Sequence, residues 1–304
     1  MANPTKFFLT FLLLFAFLIG KSEDGYELWL RYKPVENHAL LNEYRNAIKD
    51  VVVFGQSETA EVIKSEITRG LSSMLVRPYP VSSVLSSENV LVIGTPFNSE
   101  FIRSLNLVSR LDRLGNEGYL IVETTSKGKK RIVIASNSEV GTLYGAFHFL
   151  RLIQSNKPIG ALNIEEKPQT THRLLNHWDN LDRTIERGYA GFSIWDWHKL
   201  PDYIDPRYTD YARANVSLGI NGTVITNVNA NALVLTDQYI KKVAALAKVF
   251  RPYGIKIYLT ARFSAPVEIG GLKTADPLDA QVADCGKQKL KKFTRQSPIL
   301  VDFL

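Results

Sequence analysis

Apolar and polar residues alternate through residues 26–32 (YELWLRY), a period of two that predicts a strand. Residues 35–48 read as a helix and 51–54 as a short β-branched strand. A long amphipathic stretch begins at Ser57 and Glu58, because Val62, Ile63, Ile67 and Leu71 recur at the spacing of one helix face. Residues 90–93, 118–122 and 131–135 add three strands, the last two joined by a hairpin turn over 126–130 (SKGKK). A helix over 139–154 closes the region, and the small residues of its Gly-Thr-Leu-Tyr-Gly-Ala segment allow close packing. This first region, 23–168, is expected to be an α/β sandwich of about 145 residues, a common domain size, with a structural role.

The rhythm changes after the Pro- and Gly-containing stretches at 157–160 and 165–168. Strands over 173–175, 222–227 and 255–260 alternate with helices over 205–218 and 237–251. Strictly alternating β and α elements imply parallel crossovers, and in a (β/α)8 TIM barrel the functional residues follow the strands. His177, Trp178, Asp179 and Asn180 follow the first strand; Asn227, Val228, Asn229 and Asn231 follow the second; Arg262 and Phe263 follow the third. Asn also favours turns and helix caps, so the Asn cluster alone decides nothing.

Composition is that of a globular protein, with 45% hydrophobic and 22% charged residues. The formal charge of +7 is concentrated at the two ends, which leaves the middle nearly neutral and gives nucleic-acid binding little support. Lys6, the apolar run 7–19 and the small residues at 20–22 read as an export signal, residues 1–22. That run is shorter than the ~20 residues a spanning helix needs, so no stable membrane span is expected. The single cysteine, Cys285, excludes an intrachain disulfide, and the five scattered His form no metal-ligand motif. Glycosylation matches at Asn215 and Asn221 fall within regular structure and read as chance. Gly94-Thr95-Pro96 lacks the spacing and the Lys-Ser/Thr pair of a phosphate loop.

The most unusual chemistry lies in residues 176–197 (NHWDNLDRTIERGYAGFSIWDW), where Trp178, Trp195, Trp197, Asp179, Asp182 and Glu186 share one span with Arg183 and Arg187. Sugar sites need this mixture, with aromatic faces against the C–H side of a pyranose and carboxylates and amides on its hydroxyls. A Trp-rich core with ion pairs at its surface would look the same in sequence. A structural ion pair is the expected role of Arg187.

This span, with INGTVITNVNAN, FRPYGIKIYLTARFSAP and IGGLKTADPLD downstream, resembles the microbial family 67 alpha-glucuronidases. The segment from Ser138 to Ala146 is similar to part of that family's accessory α/β domain. The resemblance implies hydrolysis, with inversion and without a cofactor, of the alpha-1,2 link between (4-O-methyl)glucuronic acid and the non-reducing-end xylose of glucuronoxylan-derived oligosaccharides. A homodimer of the full-length relatives is a further expectation from the resemblance. Carried onto this chain, the resemblance places Trp178 on the uronic acid ring, with Asp179 and Asn180 beside it. Glu186 becomes a pocket carboxylate, Val228 shapes the space around the sugar, and Asn227, Asn229 and Arg262 are further pocket residues.

Two departures stand out. Arg183 occupies a position where the family motif usually has Gly, and a positive φ there would strain an Arg turn by about 1 kcal/mol or more. Roughly 136 residues follow Pro168, against the roughly 200 to 250 of a complete barrel. The family's general acid and base are therefore expected beyond Leu304, so the catalytic residues of this chain are unknown and the chain is expected to be inactive. Residues 169–283 read as the first part of the barrel. Residues 284–304 read as an aberrant tail, without helix start signals or an apolar face, produced by a shift in reading frame. The alternative is an exported, non-catalytic carbohydrate-binding or interaction fragment.

Overall fold

The computed structural model describes residues 24–85, 88–126, 128–260 and 262–296. The export signal read at 1–22 lies outside them. Contacts divide the chain into Met1–Arg31 and Tyr32–Leu304. In the first unit, residues 24–31 form a turn, closed by Leu28 N–H donating to Gly25 O (3.1 Å) and Leu30 N–H to Glu27 O (2.9 Å). The strand expected over 26–32 is therefore corrected to a turn. Leu28 takes φ +50°, and alternation alone makes no strand without a partner to pair with.

In the second unit the first sheet is built from β1 (Asp50–Val53), β2 (Val81–Ser82), β3 (Val90–Gly94), β4 (Tyr119–Ser126), β5 (Lys129–Ala135) and β6 (Asn163–Glu166), in the order β2-β1-β3-β5-β4-β6. β2, β1, β3 and β5 run parallel, while β4 and β6 are antiparallel to their neighbours. One face buries Val52, Val92, Val122 and Val133 under the short helices α3 (Glu100–Ser104) and α4 (Val108–Leu114), through Ile102 and Leu111. Alternation sends Val51, Leu91, Ile132 and Ile134 to the other face, towards α2 (Glu58–Met74) and α5 (Glu139–Gln154). The small residues of α5 serve this contact, since a Cβ on Gly145 would stand 2.6 Å from Ile134 Cγ2. Ser57 and Ser138 cap α2 and α5, and Asn37 caps α1 (His38–Ala47). The layers form the expected α/β sandwich.

The second sheet is wholly parallel, β7 (Leu174–Asn176), β8 (Gly222–Val224) and β9 (Lys256–Tyr258) in that order. α6 (Pro206–Ser217) crosses from β7 to β8, α7 (Asp237–Phe250) from β8 to β9, and the one-turn helix α8 (Ala265–Glu268) follows β9. Asp205 caps α6 and Pro206 fills its first turn, where a missing N–H costs nothing. Glu66 of α2 joins the two parts: Arg213 of α6 donates to it from Nε (2.7 Å) and Nη2 (2.9 Å), the Tyr32 hydroxyl donates a third bond, and all three groups are buried.

The expected lack of helix signals from residue 284 is also corrected. α9 (Ala280–Gln296) runs unbroken past residue 284, started by the Asp279 carboxylate, which accepts from Gln281 N (2.8 Å) and Val282 N (3.2 Å). Its apolar face is narrow. Val282, Cys285, Gly286, Lys289 and Leu290 recur at helical spacing and line a cavity of about 380 Å³ with Leu235, Phe263 and Pro266. No helix among the described residues is long and apolar enough to cross a membrane.

Candidate functional site

The three parallel strands end side by side, and backbone bonds continue beyond them. His177 N–H donates to Val224 O (2.9 Å), Ile225 N–H to Tyr258 O (3.2 Å) and Asn227 N–H to Asp179 O (2.8 Å). The Thr260 hydroxyl donates to Asn227 O at 2.8 Å. Sequence-predicted residues from the first two loops are thereby brought together at the carboxyl ends of β7 and β8.

The chain after β7 folds into a small ribbon. Asp179 bridges Ile185, and Thr184 bridges Phe192, both antiparallel. Glu186 N–H donates to Trp178 O (2.7 Å) and Asn180 N–H to Thr184 O (2.8 Å). Alternation along these three short segments puts Trp178, Asn180, Thr184 and Phe192 on one face and Asp179, Ile185 and Ser193 on the other, and Glu186, which enters the turn at φ +55°, is held opposite Trp178 by its N–H bond. The first face is open, with Trp178 45% and Phe192 79% exposed. Asn180 is fixed on it by amide bonds to Thr184 Oγ1 (3.0 Å) and Glu186 O (2.8 Å). A side-chain hydrogen bond to Glu186 raises the Tyr189 phenol above its ordinary value.

The inner face supports the ribbon. Asp179 is buried, its Oδ2 accepts from the Ser193 hydroxyl (2.5 Å), and its Oδ1 stands 3.9 Å from His177 Nδ1. His177 Nε2 shares a hydrogen bond with the Tyr211 hydroxyl (2.8 Å), which shares another with Thr223 Oγ1 (2.9 Å). Burial lowers the His177 pKa, opposed by the Asp179 charge, and burial pushes Tyr211 up to about 12. Trp195 packs on His177, Tyr208, Tyr211 and Phe250, and both Trp195 and Trp197 are fully buried. Two of the three indoles in this span are therefore core, and Trp178 alone is presented outward.

Arg183 takes φ +73°, the conformation that makes Gly the natural occupant. Its guanidinium donates to Asp196 Oδ2 (3.0 Å) and to Ser193 O (3.3 Å), which ties the ribbon to the buried segment behind it. Burial pushes the Asp196 carboxyl up, but the Arg183 charge, the Lys199 and His198 amides and Lys199 outweigh it and leave the group below its ordinary value.

The remaining site residues separate. Asn227 is buried, and its Oδ1 accepts from Asn229 N (2.9 Å), which shapes the turn that leaves Val228 half exposed. Arg262 lies apart from the ribbon: its Nε is 3.6 Å from Glu268 Oε1, and it lines the apolar cavity against α9. Arg187, expected in an ion pair, is exposed and has none among the described residues. Asn215 and Asn221 are both buried, as chance glycosylation matches would be. Among the described residues no three His, Cys, Asp or Glu side chains group as metal ligands. Tyr189, Phe192 and His177 had no assigned role in the sequence reading. For Tyr189 and Phe192 the signal was the pair Gly188 and Gly191 around an aromatic turn.

Residues 152–304 match the model of the glycosyl hydrolase family 67 middle domain, and residues 28–149 that of the family 67 N-terminus. The chain is 34% identical over 280 residues to a probable alpha-glucuronidase A of Aspergillus oryzae, covering 90% of this chain and 32% of that protein. It is 31% identical over 307 residues to alpha-glucuronidase A of Emericella nidulans, covering 97% of this chain and 35% of that one. The chain thus spans about a third of the length of these relatives. Among solved structures it is similar to a GH115 4-O-methyl-alpha-glucuronidase with specificity for decorated arabinogalactans (TM-score 0.54, 14% identity, 83% of this chain and 34% of that one). It is also similar to a GH138 enzyme targeting pectin rhamnogalacturonan II (TM-score 0.53, 14% identity, 84% and 38%). At such identities these two likenesses concern the fold alone.

Proposed function

The chain belongs to glycosyl hydrolase family 67, and from that membership we propose that it carries the accessory domain and the first three strands of the (β/α)8 barrel of an exported alpha-glucuronidase. The substrate is a xylooligosaccharide bearing (4-O-methyl)glucuronic acid, alpha-1,2-linked to its non-reducing-end xylose. The whole enzyme cleaves that link with inversion, which takes a general acid and a general base about 6.5 to 9.5 Å apart.

The observation that carries this reading is the outer face of the ribbon. It combines an exposed indole, Trp178, with a fixed amide, Asn180, and a carboxylate, Glu186, at the carboxyl end of a parallel strand. This pairing of an apolar plate with hydrogen-bonding groups suits a pyranose. Val228 and Asn229 are assigned to the same sugar, with Asn227 shaping their turn and Asp179 positioning the ribbon from beneath. Arg262 is assigned to the rim.

Asp179 is committed to Ser193, and the chain covers only about a third of its relatives, so we assign the acid and base to the part it does not cover. We therefore assign ligand binding without turnover to the isolated chain. Release of 4-O-methylglucuronic acid from short aldouronic oligosaccharides, with a full-length relative as control, tests this. No release is expected, together with measurable uronic acid binding that Trp178→Ala abolishes. Release at the control rate would place the catalytic groups within these 304 residues. Absent binding would overturn the pocket assignment.

A further inference from the structure

Gly188 and Gly191 bracket a tight turn in the ribbon, with φ +94° and +96°. A Cβ at either would meet nothing within 4 Å, so backbone conformation rather than space calls for Gly there. The turn holds Tyr189, 73% exposed, and is followed by Phe192, 79% exposed. A large ring left this bare loses the stabilisation of burial, roughly 1.5 to 3 kcal/mol for a side chain of this size. Packing does not account for either residue.

Their placement follows from the register. Phe192 lies opposite Thr184, which lies opposite Asn180, while Glu186 lies opposite Trp178. Opposed residues in antiparallel segments share a face, so Phe192 and Trp178 point the same way. Two strand spacings and a two-residue rise put their backbones about 10 to 12 Å apart, a reach of two to three sugar rings. The surface between them is polar, formed by Asn180, Thr184 and Glu186, and Tyr189 follows Glu186 at the turn.

Resting on the reading that Trp178 carries the uronic acid, we propose that Phe192 and Tyr189 form a second aromatic plate, which binds the neutral xylose rings that follow that sugar. Three features of the face select this occupant. Each ring is flat, exposed and isolated among hydrogen-bonding groups, which suits a pyranose better than a protein partner, whose interface has a contiguous apolar core. Of the two bases in the ribbon, Arg183 is committed to Asp196 and Ser193 O, which leaves a second uronic acid only Arg187 to pair with, whereas a neutral xylose needs no cation. The face is also continuous with Trp178 across one ribbon, so one extended oligosaccharide lies over both ends.

The test compares three ligands on the 304-residue chain by calorimetric titration: the methyl glycoside of glucuronic acid, undecorated xylotriose, and xylotriose carrying glucuronic acid on its non-reducing end. Phe192→Ala is expected to weaken the decorated trisaccharide about three- to tenfold, as the loss of one aromatic face predicts, and to leave the methyl glycoside unchanged. Phe192→Tyr, which keeps a ring, restores the affinity, and melting curves confirm that each variant folds. Equal affinities of wild type and Phe192→Ala for the decorated ligand overturn the proposal while leaving the Trp178 reading intact. An equal loss for the methyl glycoside also overturns it, because Phe192 then acts on the Trp178 end itself. Binding of undecorated xylotriose that depends on Phe192, with no affinity for the methyl glycoside, sustains the xylose plate and sinks the uronic acid assignment. Wild type that binds none of the three overturns both.

Discussion

At the scale of single residues, Arg183 joins two opposed effects. Its positive φ costs about 1 kcal/mol relative to Gly, and its guanidinium returns part of that through Asp196 and Ser193 O. Arg183→Ala keeps the strain and loses the bonds, whereas Arg183→Gly loses both. The Ala variant is therefore expected to be the less stable of the two by roughly 1 kcal/mol in denaturant titrations. Asp196 sets a pH dependence. Its folded pKa is depressed, so its contribution is complete above the unfolded value of about 3.9 and is lost as pH falls through the folded value. Asp196→Asn should cost about 1 to 2 kcal/mol at pH 7, and the gap to wild type should close in acid. His177, also depressed, adds an earlier loss that begins below about pH 6.5, visible as an imidazole that titrates late in an NMR series. Sequence made Trp178 legible but not the fate of its neighbour. Asp179 and Trp178 differ by one position in an alternating ribbon, and that one step separates an outward plate from a buried support.

At the scale of elements, capped and strongly periodic segments were legible nearly to the residue. The α5 helix has the predicted bounds because Ser138 marks its start, and α2 and α6 begin beside Ser57 and Asp205 for the same reason. The misses share a cause. β6 (NIEE) is a polar edge strand, β2 has two residues, and α3 and α4 are too short for a periodic signal, so only their tertiary partners define them. α9 was missed because charge hid a narrow apolar face. The contact between α2 and α6 allows a direct test. Glu66→Gln removes the carboxylate that pairs with buried Arg213 and should cost about 3 to 5 kcal/mol, while replacing both by Leu should cost far less. A double-mutant cycle in urea measures the difference.

At the scale of the molecule, β7 and β9 are the edges of a three-stranded parallel sheet, an architecture that is ordinarily covered on both sides and closed or extended by further strands. Phe263 and Leu278, each 91% exposed, lie in the segments near the cavity against α9. The purified chain is expected to self-associate through such apolar surface, and Phe263→Glu should shift its sedimentation profile towards monomer; an unchanged profile would locate the association elsewhere. The Glu66–Arg213 pair has a further consequence, in time rather than energy. Its partners are 147 residues apart in sequence. At roughly 5 to 20 residues per second on the ribosome, Arg213 is made some 7 to 30 s after Glu66. The amino-terminal sandwich thus emerges with an acidic side chain in its outer layer that has no counter-ion yet. During synthesis the two halves cannot mature strictly in order: the first can form its sheet early, but it waits for the second to finish its surface.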